Sequence, residues 1–320
     1  MSYKKTFDPP PPHFVTDDSV EEAPLQMGDR QGQNVYVYTE KIILAVNVAL
    51  ATTRPLLVRG PSGSGKSSLA SSVADILRWR YYEEVIGSRT QARDLLWRFD
   101  TLRRLNDAQA QKLQKDPAAY IEPGVLWWAF DRDSALRRGS VKSAPIDIPF
   151  ATEPAQRHEH MRAVVLIDEI DKADPDVPND LLVPLGAGNF VVSETETCVR
   201  ARSSPLVFIT TNEERVLPRA FLRRCVVLTL EAPDEQRLID IAKAHFGSYS
   251  AQVRLYEDVA KQVIEQEQNK HQTKSLTPSA AEYLDTIRAC LELGVRPHDE
   301  TWEAIFETTL LKPRDLTGGV

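Results

Sequence analysis

Cysteine is scarce in this chain: Cys198, Cys225 and Cys290 are all it has. Three thiols cannot all pair with one another, and their spacing fits no metal-ligand pattern, which argues against a disulfide scaffold and for a reducing interior. No apolar run approaches the about 18 residues of a membrane span, and the start lacks the basic-then-apolar pattern of a secretory signal. A cytoplasmic protein with no membrane partner is the expectation. His158-Glu159-His160 has no third ligand nearby, so no zinc is expected there. A formal charge of −7 disfavours a general nucleic-acid coat, although the arginines between Arg78 and Arg104 make a local basic stretch; nucleic acid is not indicated as a partner. No internal repeat is found.

What is present is enough for a sizeable core. At 320 residues, 42% hydrophobic and 27% charged, the chain suits two domains plus a tail. Residues 1–34, with Asp8-Pro9-Pro10-Pro11-Pro12 and no sustained apolar period, read as an extended or disordered arm. Residues 35–231 alternate apolar strand-like runs with helical stretches, as a parallel sheet requires. Residues 232–320 carry helical periods, Leu238, Ile241 and Ala242, then Ala281, Leu284, Ile287 and Leu291, and read as a small helical lid. Trp127, Trp128 and Trp302 are assigned to packing rather than to stacking on a ligand. The expected fold class is α/β: a three-layer αβα phosphate-loop sheet with a C-terminal helical domain.

Chemistry enters at Gly60-Pro61-Ser62-Gly63-Ser64-Gly65-Lys66-Ser67, which fits G-x-x-x-x-G-K-[S/T] and follows the apolar run Leu56-Leu57-Val58. Glycines let the backbone curl so that successive N–H groups face phosphate oxygens, Lys66 reaches the β- and γ-phosphates, and the Ser67 hydroxyl ligates Mg²⁺, with Ser68 next in line. Leu69, Val73, Ile76 and Leu77 then recur at helical spacing, so the loop joins a strand to a helix N-terminus. The apolar run Ala163 to Ile167 ends in Asp168 and Glu169, acids placed as at the carboxyl edge of a buried parallel strand. Asp168 is assigned to the Mg²⁺ shell, Glu169 to polarising a water for attack on the γ-phosphate. A third apolar run, Pro205 to Thr211, ends at Asn212, whose amide can donate to the γ-phosphate and orient that water. Arg223 and Arg224 follow a short helix and precede another strand; solvated surface charge is the competing reading.

These motifs, in this order, resemble the AAA+ ATPases, specifically the MoxR-like branch with its McrB-like and dynein-related relatives. The resemblance spans roughly residues 36 to 315. It implies that Gly60 to Ser67 is Walker A, Asp168 and Glu169 Walker B, Asn212 sensor 1, and Arg224 the arginine finger, with Arg223 as the alternative. A finger serves the neighbouring subunit's nucleotide, so the resemblance implies a homo-oligomeric ring, usually a hexamer, working with ATP and Mg²⁺ on a partner protein, a von Willebrand factor A-type protein among the candidates. It also implies that the strip 35–51 closes over adenine, that Glu122 to Phe130 closes a hairpin inserted in the second helix, and that Gly188 to Pro205 holds a second inserted hairpin.

Two departures stand out. Family members carry a sensor 2 arginine just after a lid proline, where Thr277-Pro278-Ser279-Ala280 offers Ser279. Residues 131–162, with Arg132, Arg137, Arg138, Lys142, Arg157 and Arg162, read as an extra polar loop that either grips a partner or is merely solvated. The expected function is an ATP-hydrolysing remodelling subunit. Two rivals are a McrB-like GTP-dependent motor acting with a nuclease and a nucleotide-binding switch or scaffold in a bacterial defence module. The guanine-reading pattern Asn-Lys-x-Asp is met only by Asn269-Lys270-His271-Gln272, which lacks the aspartate.

Overall fold

The computed structural model describes residues 3–11, 35–141, 143–148, 161–268, 278–297 and 299–310. Most of the N-terminal arm, Lys142, Arg157, His158, Glu159, His160, Asn269 to Gln272 and Thr277 therefore lie outside the described residues. The described residues of 1–8, 40–59 and 70–229 form one compact unit, and those of 9–39, 60–69 and 230–320 form another. Among the described residues, no helix is long and apolar enough to cross a membrane.

In chain order the secondary structure runs α1 (Glu40–Thr52), β1 (Leu56–Arg59), α2 (Lys66–Leu77), β2 (Arg80–Val85), β3 (Trp97–Phe99), α3 (Thr101–Gln109), β4 (Ile121–Pro123), α4 (Val125–Phe130), α5 (Arg132–Leu136) and β5 (Ala163–Asp168). It continues through α6 (Val177–Asp180), α7 (Leu182–Ala187), β6 (Asn189–Val192), β7 (Thr197–Arg200), β8 (Leu206–Thr211), α8 (Arg219–Leu222) and β9 (Val226–Thr229) to the helices α9 (Glu235–Phe246), α10 (Ser250–Gln268), α11 (Ala280–Leu293) and α12 (Glu300–Thr309). The mixed α/β core with a parallel sheet flanked by helices, and a helical C-terminal region, is the fold class expected from the sequence.

The sheet has the order β2-β5-β8-β1-β9 with every pairing parallel. Its central strands read as unbroken apolar runs because both faces are covered: β8 is buried at every residue and β5 at all but Asp168. Register decides the working edge. Ile167 stands opposite Ile209, and Arg59 opposite Thr211, so β8 and β1 end at one level and β5 one residue short of it.

Both inserted hairpins are present, β3 with β4 and β6 with β7, each antiparallel. They are fastened to each other. Trp97 of β3 stacks on Phe190 of β6 with ring centroids 5.6 Å apart and planes 7° from parallel, and its indole N–H donates to Glu194 at 2.8 Å. Trp127 meets Phe190 edge-on, and Trp127 and Trp128 are fully buried, so the core role expected of them holds. The stretch after α4 is more than a polar loop as far as 148. Ala135 is buried, Ile146 and Ile148 pack on the core, and Asp131 and Asp133 both pair with Arg202.

The helical unit has its own core of Leu238, Tyr256, Val259, Tyr283, Ile287 and Trp302. The buried face of α11 is Tyr283, Thr286, Ile287 and Cys290, so it shares only Ile287 with the periodic set read from the sequence. The reason is that Tyr283 carries a polar handle, which donates to the Tyr256 carbonyl at 3.1 Å and lets the large ring sit inside. Helix starts are capped as propensity directs. Asp234 accepts from the Arg237 N–H, and Ser279 with Glu282 forms a reciprocal capping box.

One further fastening joins residues far apart in the chain. Phe7 is fully buried, and the Asn47 side chain on α1 accepts from the Thr6 and Phe7 N–H groups at 2.7 and 2.9 Å while donating to the Phe7 and Ile43 carbonyls at 2.8 and 2.9 Å. Asn47→Ala removes these four bonds. It should lower stability by about 1–3 kcal/mol, read from urea unfolding, and should speed tryptic cleavage at Lys4 and Lys5.

Candidate functional site

The segment joining β1 to α2 is the phosphate-loop candidate, and it groups with the helical unit. Gly63 has φ +71°, and a Cβ there would fall 2.3 Å from Ser279 Oγ, so only glycine permits this approach. A Cβ on Gly65, at φ +84°, would come within 3.3 Å of the Tyr36 ring. The loop is thus walled by Tyr36 from the strip ahead of α1 and by Ser279 at the start of α11, the position read as sensor 2. Burial pushes the Tyr36 phenol up to about 12, against the opposing pull of the Arg237 charge.

Lys66 is buried, and its ammonium donates to the carbonyls of Gly60 and Pro61 at 2.9 and 2.7 Å, folding the side chain back along the loop. The Ser64 hydroxyl is buried without a hydrogen-bond partner among the described residues. An orphaned hydroxyl beside a coiled-up ammonium, in a loop opening onto a helix N-terminus, fits a phosphate chain. Ser67 and Ser68 lie in the first turn of α2, Ser67 partly buried and Ser68 exposed. Pro61 and Ser62 are exposed.

The acidic edge belongs to the α/β unit. Asp168 closes β5, and Glu169 follows in the left-handed region at φ 60° and ψ 50°, an uncommon place for a residue with a side chain. Thr210 explains how the pair is held. Its hydroxyl, fully buried on β8, donates to Asp168 Oδ1 and accepts the Glu169 N–H at 2.9 Å. The two oxygens of Glu169 have separate partners: Asn212 Nδ2 donates to Oε1 at 2.9 Å, and Lys172 Nζ reaches Oε2 at 2.6 Å. That bond raises the Lys172 pKa. The structure therefore brings together Asp168, Glu169 and Asn212, three residues singled out from separate places in the sequence.

Arg223 and Arg224 follow α8, and both are exposed with no ion pair or side-chain hydrogen bond among the described residues. A family model for the AAA domain of the dynein-related subfamily matches residues 55–237. This chain belongs to that family. No curated protein matches it. The AAA domain spans β1 to the first turn of α9, so it contains the phosphate loop, the acidic edge, Asn212 and both arginines. The fold of an AAA ATPase is one capable of nucleotide binding and hydrolysis, and the residues here suit that chemistry.

Sequence reading passed over Thr210 and Lys172. The signals were small: a hydroxyl near the end of an otherwise apolar strand, and a lysine three residues after Glu169. In this AAA domain Thr210→Val should leave the Glu169 N–H and Asp168 Oδ1 without their shared partner. A loss of about 1–3 kcal/mol in urea unfolding is expected, accompanied by weaker Mg²⁺-dependent nucleotide binding in a fluorescence titration.

Proposed function

We propose that this chain is an ATP-hydrolysing, ring-forming AAA+ subunit of MoxR type that remodels a partner protein. The observation that carries the reading is the Glu169 carboxylate, set just past the end of a buried strand and bonded to the Asn212 amide. A general base needs a fixed carboxylate and a neighbour able to orient the attacked water, and these two groups supply both. Backbone N–H groups of Gly60 and of Ser62 to Gly65, with the Lys66 ammonium and the Ser64 hydroxyl, hold the phosphate chain in this reading. Ser67 and Asp168 are the residues that would hold Mg²⁺ in this reading. Bound there, Mg²⁺ would supply positive charge against the triphosphate. Glu169 accepts a proton from the water as its oxygen bonds to the γ-phosphorus, the bond from that phosphorus to the β–γ bridging oxygen breaks and ADP leaves, and Asn212 keeps the water in line.

Support for a ring comes from the arginines. Arg224 and Arg223 stand exposed after a short helix, with no ion pair or side-chain hydrogen bond among the described residues. We assign Arg224 as the finger offered to a neighbouring copy, with Arg223 as its alternate. A hexameric homo-oligomer follows by resemblance. So does a protein partner, of which a von Willebrand factor A-type protein is one candidate. The two buried thiols, of which Cys225 is pushed up to about 12 and Cys290 to about 11 by burial, suit a reducing cytoplasm.

Glu169→Gln should bind ATP with unchanged affinity while turnover falls by about 10²–10⁴-fold, measured by phosphate release beside equilibrium nucleotide binding. Wild-type turnover with ATP and with GTP, run in parallel, fixes the base preference. Arg224→Ala should lower turnover about 10³-fold, and mixing it with Glu169→Gln subunits should restore part of the activity, because each supplies what the other lacks. Normal turnover by Arg224→Ala alone would exclude the shared site.

A further inference from the structure

At the carboxyl edge of the sheet two glutamates, not one, adopt the left-handed conformation. Glu169 follows β5 at φ 60°, and Glu213 comes two residues past the end of β8 at φ 64°. Such a conformation is costly for a residue other than glycine and persists only where its surroundings impose it. Each of these glutamates is gripped by a cation. Lys172 takes Glu169, and Arg59, the last residue of β1, takes Glu213.

The second grip has the stricter geometry. Arg59 Nε donates to Glu213 Oε1 at 2.9 Å and Nη2 donates to Oε2 at 2.6 Å, two parallel bonds between residues 154 positions apart in sequence. A fork of this kind fixes direction as well as distance. The Glu213 N–H also donates to Thr211 Oγ1 at 2.9 Å, so the turn is held at its backbone and at its tip. Both side chains are 43% exposed, and an ion pair so open to water adds little to stability. Between β8 and Glu213 lies Asn212, whose amide is aimed at Glu169 Oε1.

We propose that Arg59 and Glu213 are a positioning pair for hydrolysis, their fork holding the left-handed turn that aims the Asn212 amide at Glu169. Neither residue touches the reacting atoms in this scheme. They act through Asn212, and the inference rests on the ATP-hydrolysis reading above.

The test uses the full chain and ATP. Wild-type turnover comes first, since its absence would overturn the hydrolysis reading itself, separately from this inference. Given turnover, Arg59→Met and Glu213→Gln should each lower kcat about tenfold, as a small misplacement of a water-orienting group does. KM for ATP and the thermal midpoint should stay at wild-type values. The double variant Arg59→Met with Glu213→Gln should be no slower than the slower single, because the two residues act as one unit. The charge swap Arg59→Glu with Glu213→Arg should recover kcat to within about threefold of wild type, since residues in one ion pair are coupled rather than additive. Wild-type kcat in both singles would reduce the fork to a surface ion pair and overturn the proposal. So would additive losses in the double variant, or a rise in KM with kcat unchanged.

Discussion

Parallel pairing of β8 with β5 on one side and β1 on the other is the constraint on which the rest of the α/β unit depends. A parallel sheet sends every strand's carboxyl end to the same edge, and the register observed here brings three of those ends within one residue of one another. Asp168, Glu169, Thr210, Asn212 and Arg59 become neighbours through that arrangement alone. A slip of one residue in β8 would turn Thr210 to the opposite face of the sheet and break its bonds to both acids.

The edge is built from polar groups that satisfy one another at the boundary of an apolar layer. Thr210 is fully buried, yet its hydroxyl is used twice, once as donor and once as acceptor. Glu169 divides its two oxygens between Asn212 and Lys172, and Glu213 gives both of its oxygens to Arg59. Strain in two left-handed glutamates is offset by these bonds, which suits a site that must hold a carboxylate at one angle rather than let it find its own.

The helical unit obeys a different logic. Its core is an ordinary packed interior of aromatic and aliphatic side chains, but its edges supply the walls of the phosphate loop. Ser279 caps α11 and at the same time lies where only a glycine at 63 can accommodate it. The short hydroxyl where the resemblance would put a sensor 2 arginine therefore has a structural account. An arginine side chain there would have to pass a backbone already in van der Waals contact, so the small residue and the close loop go together.

The sequence by itself determined the order of the elements and the class of chemistry. Apolar runs ending in carboxylates or an amide, and a glycine-rich loop ahead of a helical period, are local patterns, and local patterns survive in one dimension. It pointed as well to the second inserted hairpin, at Gly188 to Pro205. What it could not determine was anything resting on pairs far apart in the chain. The buried Phe7 held by Asn47, the Thr210 hydroxyl between two acids and the Arg59 fork on Glu213 join residues 40 to 154 positions apart. The buried face of α11 was also decided late, because a phenol that finds a carbonyl can go inside where a periodic count would place a leucine. Such contacts are fixed only when strand register and helix packing are fixed, and those follow from the tertiary fold.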